Sequence, residues 1–160
     1  MVEVSVLTPK CTLVPSNFFE ATSARDILEE VVLLKEGEAV KYAEVPQYGA
    51  VLVYAVESEE ITALPELYRV LEDLPSCKDY NKIVASHKEG WLYLAIAQGG
   101  SLLLANVFEA PDFTTAEYYI FLAMKQLQLN PEVSTICMRS LLDVEDEMSL
   151  YRYFKSVEQI

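Results

Sequence analysis

The feature that most constrains the fold lies in the second half of the chain. Residues 82–87, 91–97 and 101–108 are three successive β-prone segments, separated only by Lys88-Glu89-Gly90 and Gln98-Gly99-Gly100. Glycine accepts the positive φ that tight hairpin links require, so the three segments are expected to form an antiparallel meander. Pro111-Asp112 then leads into Thr114-Thr115-Ala116-Glu117, a capping-box pattern with Thr114 as the cap. The helix that follows, Tyr118 to Leu129, is apolar at every position from Tyr118 through Met124, which requires burial on more than one face. Asn130-Pro131 stops it. A strand at 134–139 and a helix at 144–158 complete the order βββαβα, the last helix carrying the stripe Val144, Met148, Tyr151, Phe154 and Val157.

The first half reads less sharply. Val2, Val4 and Val6 alternate with polar residues as in a strand ended by Pro9, and Ser23 is placed to cap a helix over 24–34 with the stripe Ile27, Leu28, Val31 and Leu34. Strands are expected at 39–45 and 50–56, joined by the turn-rich Pro46-Gln47-Tyr48-Gly49. The second of these is apolar without alternation and reads as an interior strand covered on both faces. A helical spacing runs from Ser58 to Leu74, where Pro65 either kinks the helix or starts a second one. The short polar stretch from Leu74 to Tyr80 divides the chain into two expected lobes, 1–75 and 81–160.

Composition excludes several functions. The 160 residues suffice for one domain or two small lobes sharing a core. Against 25 acidic residues stand 12 basic ones, a net charge of −13, and the cations are scattered in sequence. Such a chain repels a phosphate backbone or an anionic membrane, so neither nucleic acid nor membrane is expected as a partner. Cys11, Cys77 and Cys137 form no C-x-x-C pair and leave one over, which fits thiols in a reducing cytoplasm better than a disulfide framework. The opening Met-Val-Glu-Val lacks the basic start of a signal peptide, and no apolar run approaches the roughly 18 residues of a membrane span.

Several phrases resemble a known family. Thr12-Leu13-Val14-Pro15 with Phe18-Phe19, then Leu102-Leu103-Leu104-Ala105-Asn106-Val107-Phe108, Glu117-Tyr118-Tyr119 and Leu127-Gln128-Leu129-Asn130-Pro131 are similar to an uncharacterised bacterial family of unknown function, found mainly in Bacteroidetes. The resemblance covers roughly 2 to 158. It implies an α/β chain with a mixed sheet on an actin-like ATPase fold. The second half would supply the ribonuclease H-like βββαβα core, behind a shortened first lobe. Members look longer than this chain, which implies a shortened member or a fragment.

Actin-like ATPases grip phosphates and Mg²⁺ with glycine-bearing hairpin loops that carry aspartates, because phosphoryl transfer rests on positioning and charge neutralisation. The loop corresponding to the second of these is Ser86-His87-Lys88-Glu89-Gly90, which has no aspartate, and no counterpart of the first can be located. The leading expectation is therefore a protein-interaction or scaffold module without catalytic residues, cofactor or metal. The alternative is an ATP-binding protein that uses Lys88, Glu89 and Gly90 with Mg·ATP, its site completed by further chain or a second subunit. His87 stands alone and reads as a strand-end residue. Asp143, Glu145, Asp146 and Glu147 read as helix N-terminal charges. Cys11 and Cys137 read as core residues, and Cys77 as a linker thiol open to exposure and oxidation, with no nearby cation strong enough to predict a depressed pKa. Tyr118, Tyr119, Tyr151 and Tyr153 exceed what one sheet face covers and are the candidate interface for a protein partner or a homo-oligomer.

Overall fold

The computed structural model describes residues 4–160. In chain order the elements are β1 (Ser5–Val6), β2 (Cys11–Pro15), α1 (Ala24–Glu29), β3 (Ala39–Val45), β4 (Ala50–Val56), β5 (Leu64–Pro65) and α2 (Glu66–Asp73). The second half holds β6 (Asn81–Lys88), β7 (Trp91–Gln98), β8 (Ser101–Glu109), α3 (Phe113–Gln126), β9 (Thr135–Met138), α4 (Val144–Tyr151) and β10 (Ser156–Gln159). The strand expected from Val2 is short, and its first two residues lie outside the described region.

The meander forms as the glycine links require, β6 against β7 and β7 against β8, with a register shift between Ile96 and Ala97. β9 joins β6 in parallel and β10 joins β9 in parallel, giving a mixed sheet of order β10-β9-β6-β7-β8. A smaller antiparallel sheet has the order β2-β4-β3. Its β3–β4 link is the expected turn, a single helical turn at Pro46–Tyr48 with Gly49 at φ 60°, so that Val45 faces Ala50.

β4 is buried at all seven positions because its two faces feed two cores. Val51, Val53 and Ala55 meet Ala24 and Leu28 of α1, whereas Leu52, Tyr54 and Val56 face α2. The large sheet is covered twice in the same way. Ile83, Leu92, Leu94 and Ile96 pack against Ala116, Ile120 and Met124 of α3 with Leu150 of α4, while Val84, Tyr93, Ala95 and Ala97 face α2. α2 is thus the middle layer: Leu67, Val70 and Leu71, with Leu74 after it, share one core with both sheets.

The polar end of α2 is held as firmly as its apolar face. Glu66, the first residue of the helix, is fully buried. Ser5 Oγ donates to Oε1 at 2.5 Å, and Ser86 Oγ donates to Oε2 at 2.6 Å. Arg139 Nε donates to Oε2 at 3.0 Å while its second arm reaches Asp73 at 3.0 Å, at the far end of the same helix. Lys88 Nζ lies 3.4 Å from Oε2. Burial by itself raises the Glu66 pKa, but the two hydroxyls and the charges of Arg139 and Lys88 outweigh it and hold the carboxyl below its usual range.

Four local expectations are corrected. α1 stops at Glu29, and Ser23 makes no side-chain cap bond; Val31 and Leu33 are exposed because the six-residue helix buries only Ala24 and Leu28. Residues 58–63 are not helical, since the Lys41 ammonium takes the carbonyls of Glu59 and Ile61 and Pro65 becomes the residue from which α2 starts. Asp112, not Thr114, caps α3, its carboxylate accepting from the Thr115 N–H at 2.7 Å. The last helix ends at Tyr151, because the Lys155 N–H turns to the Pro131 and Ser134 carbonyls and the chain enters the open edge of β9 as β10. β2, bounded by Pro9 and Pro15, was not foreseen as a strand; it pairs with β4.

Truncating the shared core should loosen both sheets together. Leu71→Ala is expected to cost about 3 kcal/mol. Urea unfolding followed by circular dichroism and by Trp91 fluorescence should give one coincident transition, and two separated transitions would contradict a common core. A second prediction concerns Glu66. Its folded pKa is depressed, so its stabilisation is present above the unfolded value of about 4.3 and disappears as pH falls through the folded value. Glu66→Gln should cost about 3 kcal/mol at neutral pH and progressively less below about pH 4, because the charge it lacks is then protonated in the parent too. An equal cost at every pH would refute the ionised network.

Candidate functional site

The hairpin at Lys88-Glu89-Gly90 is a two-residue turn in which Glu89 (φ 47°) and Gly90 (φ 83°) are both left-handed. The turn is tied down by the Ala110 N–H, which donates to the Gly90 carbonyl at 2.8 Å. Lys88 points its ammonium at Glu66, as described above. His87, one residue earlier, is held on three sides. Its N–H donates to Ser140 Oγ at 2.9 Å, its Nε2 lies 2.8 Å from the Ala110 carbonyl, and its ring meets Phe113 edge-on at 6.0 Å.

The other candidate residues gather on the outer side of α3 and α4. Tyr119 stacks on Phe108 at 4.9 Å, and Tyr118 meets Tyr119 edge-on at 5.4 Å while remaining 59% exposed. Tyr153 packs on Phe121 at 4.8 Å, and Phe121 stacks on Phe154. Tyr151 donates its hydroxyl to the Val157 carbonyl at 3.2 Å, leaving much of its ring exposed. Rings anchored at one edge and open at the other are pre-ordered for contact, since little side-chain freedom remains to be lost.

The stripe read as the buried face of the last helix is split by the fold. Phe154 and Val157 are buried, but they lie beyond the end of α4, and within the helix only Leu150 is buried. Val144, Met148 and Tyr151, spaced four and three residues apart on one side of the helix, are all exposed.

Beside this stripe a groove of about 390 Å³ runs between the first turn of α3 and the length of α4, lined by Phe113, Glu117, Glu145, Asp146, Met148 and Arg152. Glu117 is 9% exposed, and its Oε1 meets no hydrogen-bond partner among the described residues. Burial raises its pKa, against the opposing pull of Ser149 and Arg152. Asp146 is raised too, first by desolvation and then by neighbouring Asp143. Asp143 itself caps α4, accepting from the Asp146 N–H at 2.8 Å, as expected for the acidic cluster. The acidic wall of the groove was missed in the sequence because Glu117 looked like half of a capping box.

A wider depression of about 520 Å³ lies between the β1–β2 loop, the end of β4 and residues 35–38. Two of its charges pair: Lys10 Nζ lies 2.6 Å from Glu38, which also accepts from the Lys35 backbone N–H at 2.5 Å. Those bonds, the Lys10 side chain's first, hold the Glu38 carboxyl below its usual range. Among the described residues no group of three or more His, Cys, Asp or Glu side chains is arranged to hold a metal ion. No helix among them is long and apolar enough to cross a membrane.

The architecture is that of a solved structure from Bacteroides thetaiotaomicron VPI-5482, a protein with actin-like ATPase fold and unknown function. The two superpose with a TM-score of 0.78 at 19% sequence identity, over 99% of this chain and 67% of that one. At that identity the likeness establishes the fold alone, and the actin-like ATPase fold expected from the sequence is correct. No curated protein matches the sequence. The model of one family, DUF3822, described as a protein of unknown function, matches residues 1–72 and 60–157. Nearly the whole sequence is covered by that match, and the chain belongs to the DUF3822 family.

Proposed function

We propose that this chain is a non-catalytic protein-interaction module on an actin-like fold, which presents the outer side of α3 and α4 to a partner protein. The observation that carries this reading is the outward apolar stripe of α4, Val144, Met148 and Tyr151, at the groove that Met148 lines together with Glu117, Glu145 and Asp146; Tyr118 is exposed on α3. Apolar surface next to a row of carboxylates suits a segment that combines apolar side chains with a lysine or arginine. A net charge of −13 favours such a basic partner at long range. A second copy of this equally acidic chain is a poorer fit to the groove. The odd count of three cysteines, with no C-x-x-C pair, supports a reducing compartment such as the cytoplasm.

The ATP reading has less support. Lys88, the cation closest to a phosphate-binding role, is engaged by a buried carboxylate, and an incoming phosphate would have to compete with Glu66 for it. Calorimetry with Mg·ATP should therefore be flat; a dissociation constant tighter than about 0.1 mM, abolished by Lys88→Ala, would revive that reading.

Met148→Lys combined with Tyr118→Ser should leave the melting temperature within a few degrees of the parent, because both side chains are largely exposed. The double variant should lose partner capture by at least about tenfold, equivalent to about 1.4 kcal/mol. Charge reversal at Glu145 and Asp146 should weaken capture more at low salt than at high. Capture that survives both changes would overturn the proposal, as would sedimentation showing that the chain pairs only with itself.

Glu117 supplies a pH test. Its folded pKa is raised, so its contribution to stability is complete below the unfolded value of about 4.3 and is lost as pH rises through the folded value. Glu117→Gln should melt a few degrees higher than the parent at neutral pH and converge with it below about pH 4. A variant that melts lower at neutral pH would show instead that the carboxylate is already paid for by Ser149 and Arg152.

A further inference from the structure

Two of the three cysteines, 60 residues apart in sequence, meet in the fold. Cys77 follows the turn that closes α2, Cys137 lies in β9, and their sulfurs are 3.5 Å apart. Neither is engaged in a disulfide. We propose that Cys77 and Cys137 are a disulfide-forming pair, oxidised by hydrogen peroxide, that can lock the segment after α2 onto the large sheet.

The surroundings assign the two sulfurs different roles. Cys77 is half-buried and opens, with Cys137, onto a depression of about 10 Å³ bordered by Lys78, Asn81, Thr135 and Glu158, close to the room a single water-sized molecule needs. The Lys82 ammonium is held beside Cys77 by the carbonyls of Cys77 and Asp79. The hydrogen bond with Cys137 first, and then the charge of Lys82, pull the Cys77 thiol below its usual pKa against burial and the carboxylates of Glu158 and Asp73. Cys137 is buried and has Glu158 Oε2 3.9 Å from its sulfur, a carboxylate that disfavours a second thiolate there. Cys77 is therefore the attacking sulfur and Cys137 the resolving one. Cys11 provides the contrast: its thiol is pushed up to about 12 by burial and lies in another strand.

The chemistry balances in two steps. The Cys77 thiolate attacks one peroxide oxygen; the O–O bond breaks, Cys77 becomes a sulfenic acid, and the departing hydroxide takes a proton to leave as water. The Cys137 sulfur then attacks the sulfenic sulfur, the S–O bond breaks, and the hydroxyl leaves with the Cys137 proton as a second water. Two thiols are oxidised to one disulfide while one peroxide is reduced to two waters. The sulfurs must close from 3.5 Å to a bond of about 2.05 Å, a shift within the reach of side-chain rotation.

The test uses the full chain, reduced, freed of reductant and treated with a small excess of hydrogen peroxide. Thiol titration in denaturant should fall from three to one, and non-reducing peptide mapping should recover a cross-link between the peptides carrying Cys77 and Cys137. Cys11→Ser should behave like the parent apart from its missing thiol. Cys77→Ser, at a half-buried position, should form no internal disulfide, and Lys82→Met should slow alkylation of Cys77 several-fold and shift its pH profile upward. The oxidised chain should melt several degrees above the reduced one, because the cross-link restricts the unfolded chain. Three thiols surviving treatment, or a cross-link that includes Cys11, would overturn the proposal.

Discussion

The structure depends on how α2 is held between the two larger sheets, which also touch where β2 approaches β8. Its apolar side closes the central core, and its first residue, Glu66, carries a charge where water does not reach. A buried carboxylate is tolerable only when its oxygens are fully engaged, and here the partners come from distant parts of the chain: Ser5 in β1, Ser86 and Lys88 in β6, and Arg139 just after β9. Arg139 closes the circuit by reaching Asp73 at the other end of the helix. Apolar packing supplies most of the driving force. The charged network specifies position, because sliding α2 along the large sheet would strand Glu66 without its donors.

That arrangement also bears on what the fold can do. An actin-like architecture does not by itself bring the chemistry of its name, since activity resides in side chains placed on the fold. In this chain Lys88, at the hairpin where a phosphate would be gripped, faces inward to the network that fixes α2. Exposed apolar surface is found elsewhere. Part of it lies on the outer side of α3 and α4, where aromatic rings are anchored at one edge and acidic groups border a groove.

Legibility in the sequence followed the range of the interactions. The β6–β7–β8 meander and the β3–β4 link were readable because glycine turns and apolar runs act on neighbours only a few residues apart. The continuous apolar run of β4 announced a strand buried on both faces, and one core does lie against each face. β10 was not readable: Ser156-Val157-Glu158-Gln159 fits the tail of a helix as well as a four-residue strand, and the free edge of β9 decided the matter. The stripe on α4 was visible, but which way it faced was not, because periodicity marks a side of a helix without saying what covers it. The four side chains bonded to Glu66 share no motif, and the sulfurs of Cys77 and Cys137 are joined by no spacing rule.

The amino-acid sequence alone determined the type of most elements, the mixed α/β class and the family, since each rests on local turn chemistry, on short-range patterning or on phrases of adjacent residues. Only the tertiary structure decided which strands pair in parallel, which carboxylates are buried, which thiols meet and which apolar stripe stays uncovered. The physical reason is common to all four. Each depends on hydrogen bonding or exclusion of water between residues tens of positions apart, and such contacts exist only once the chain has closed on itself.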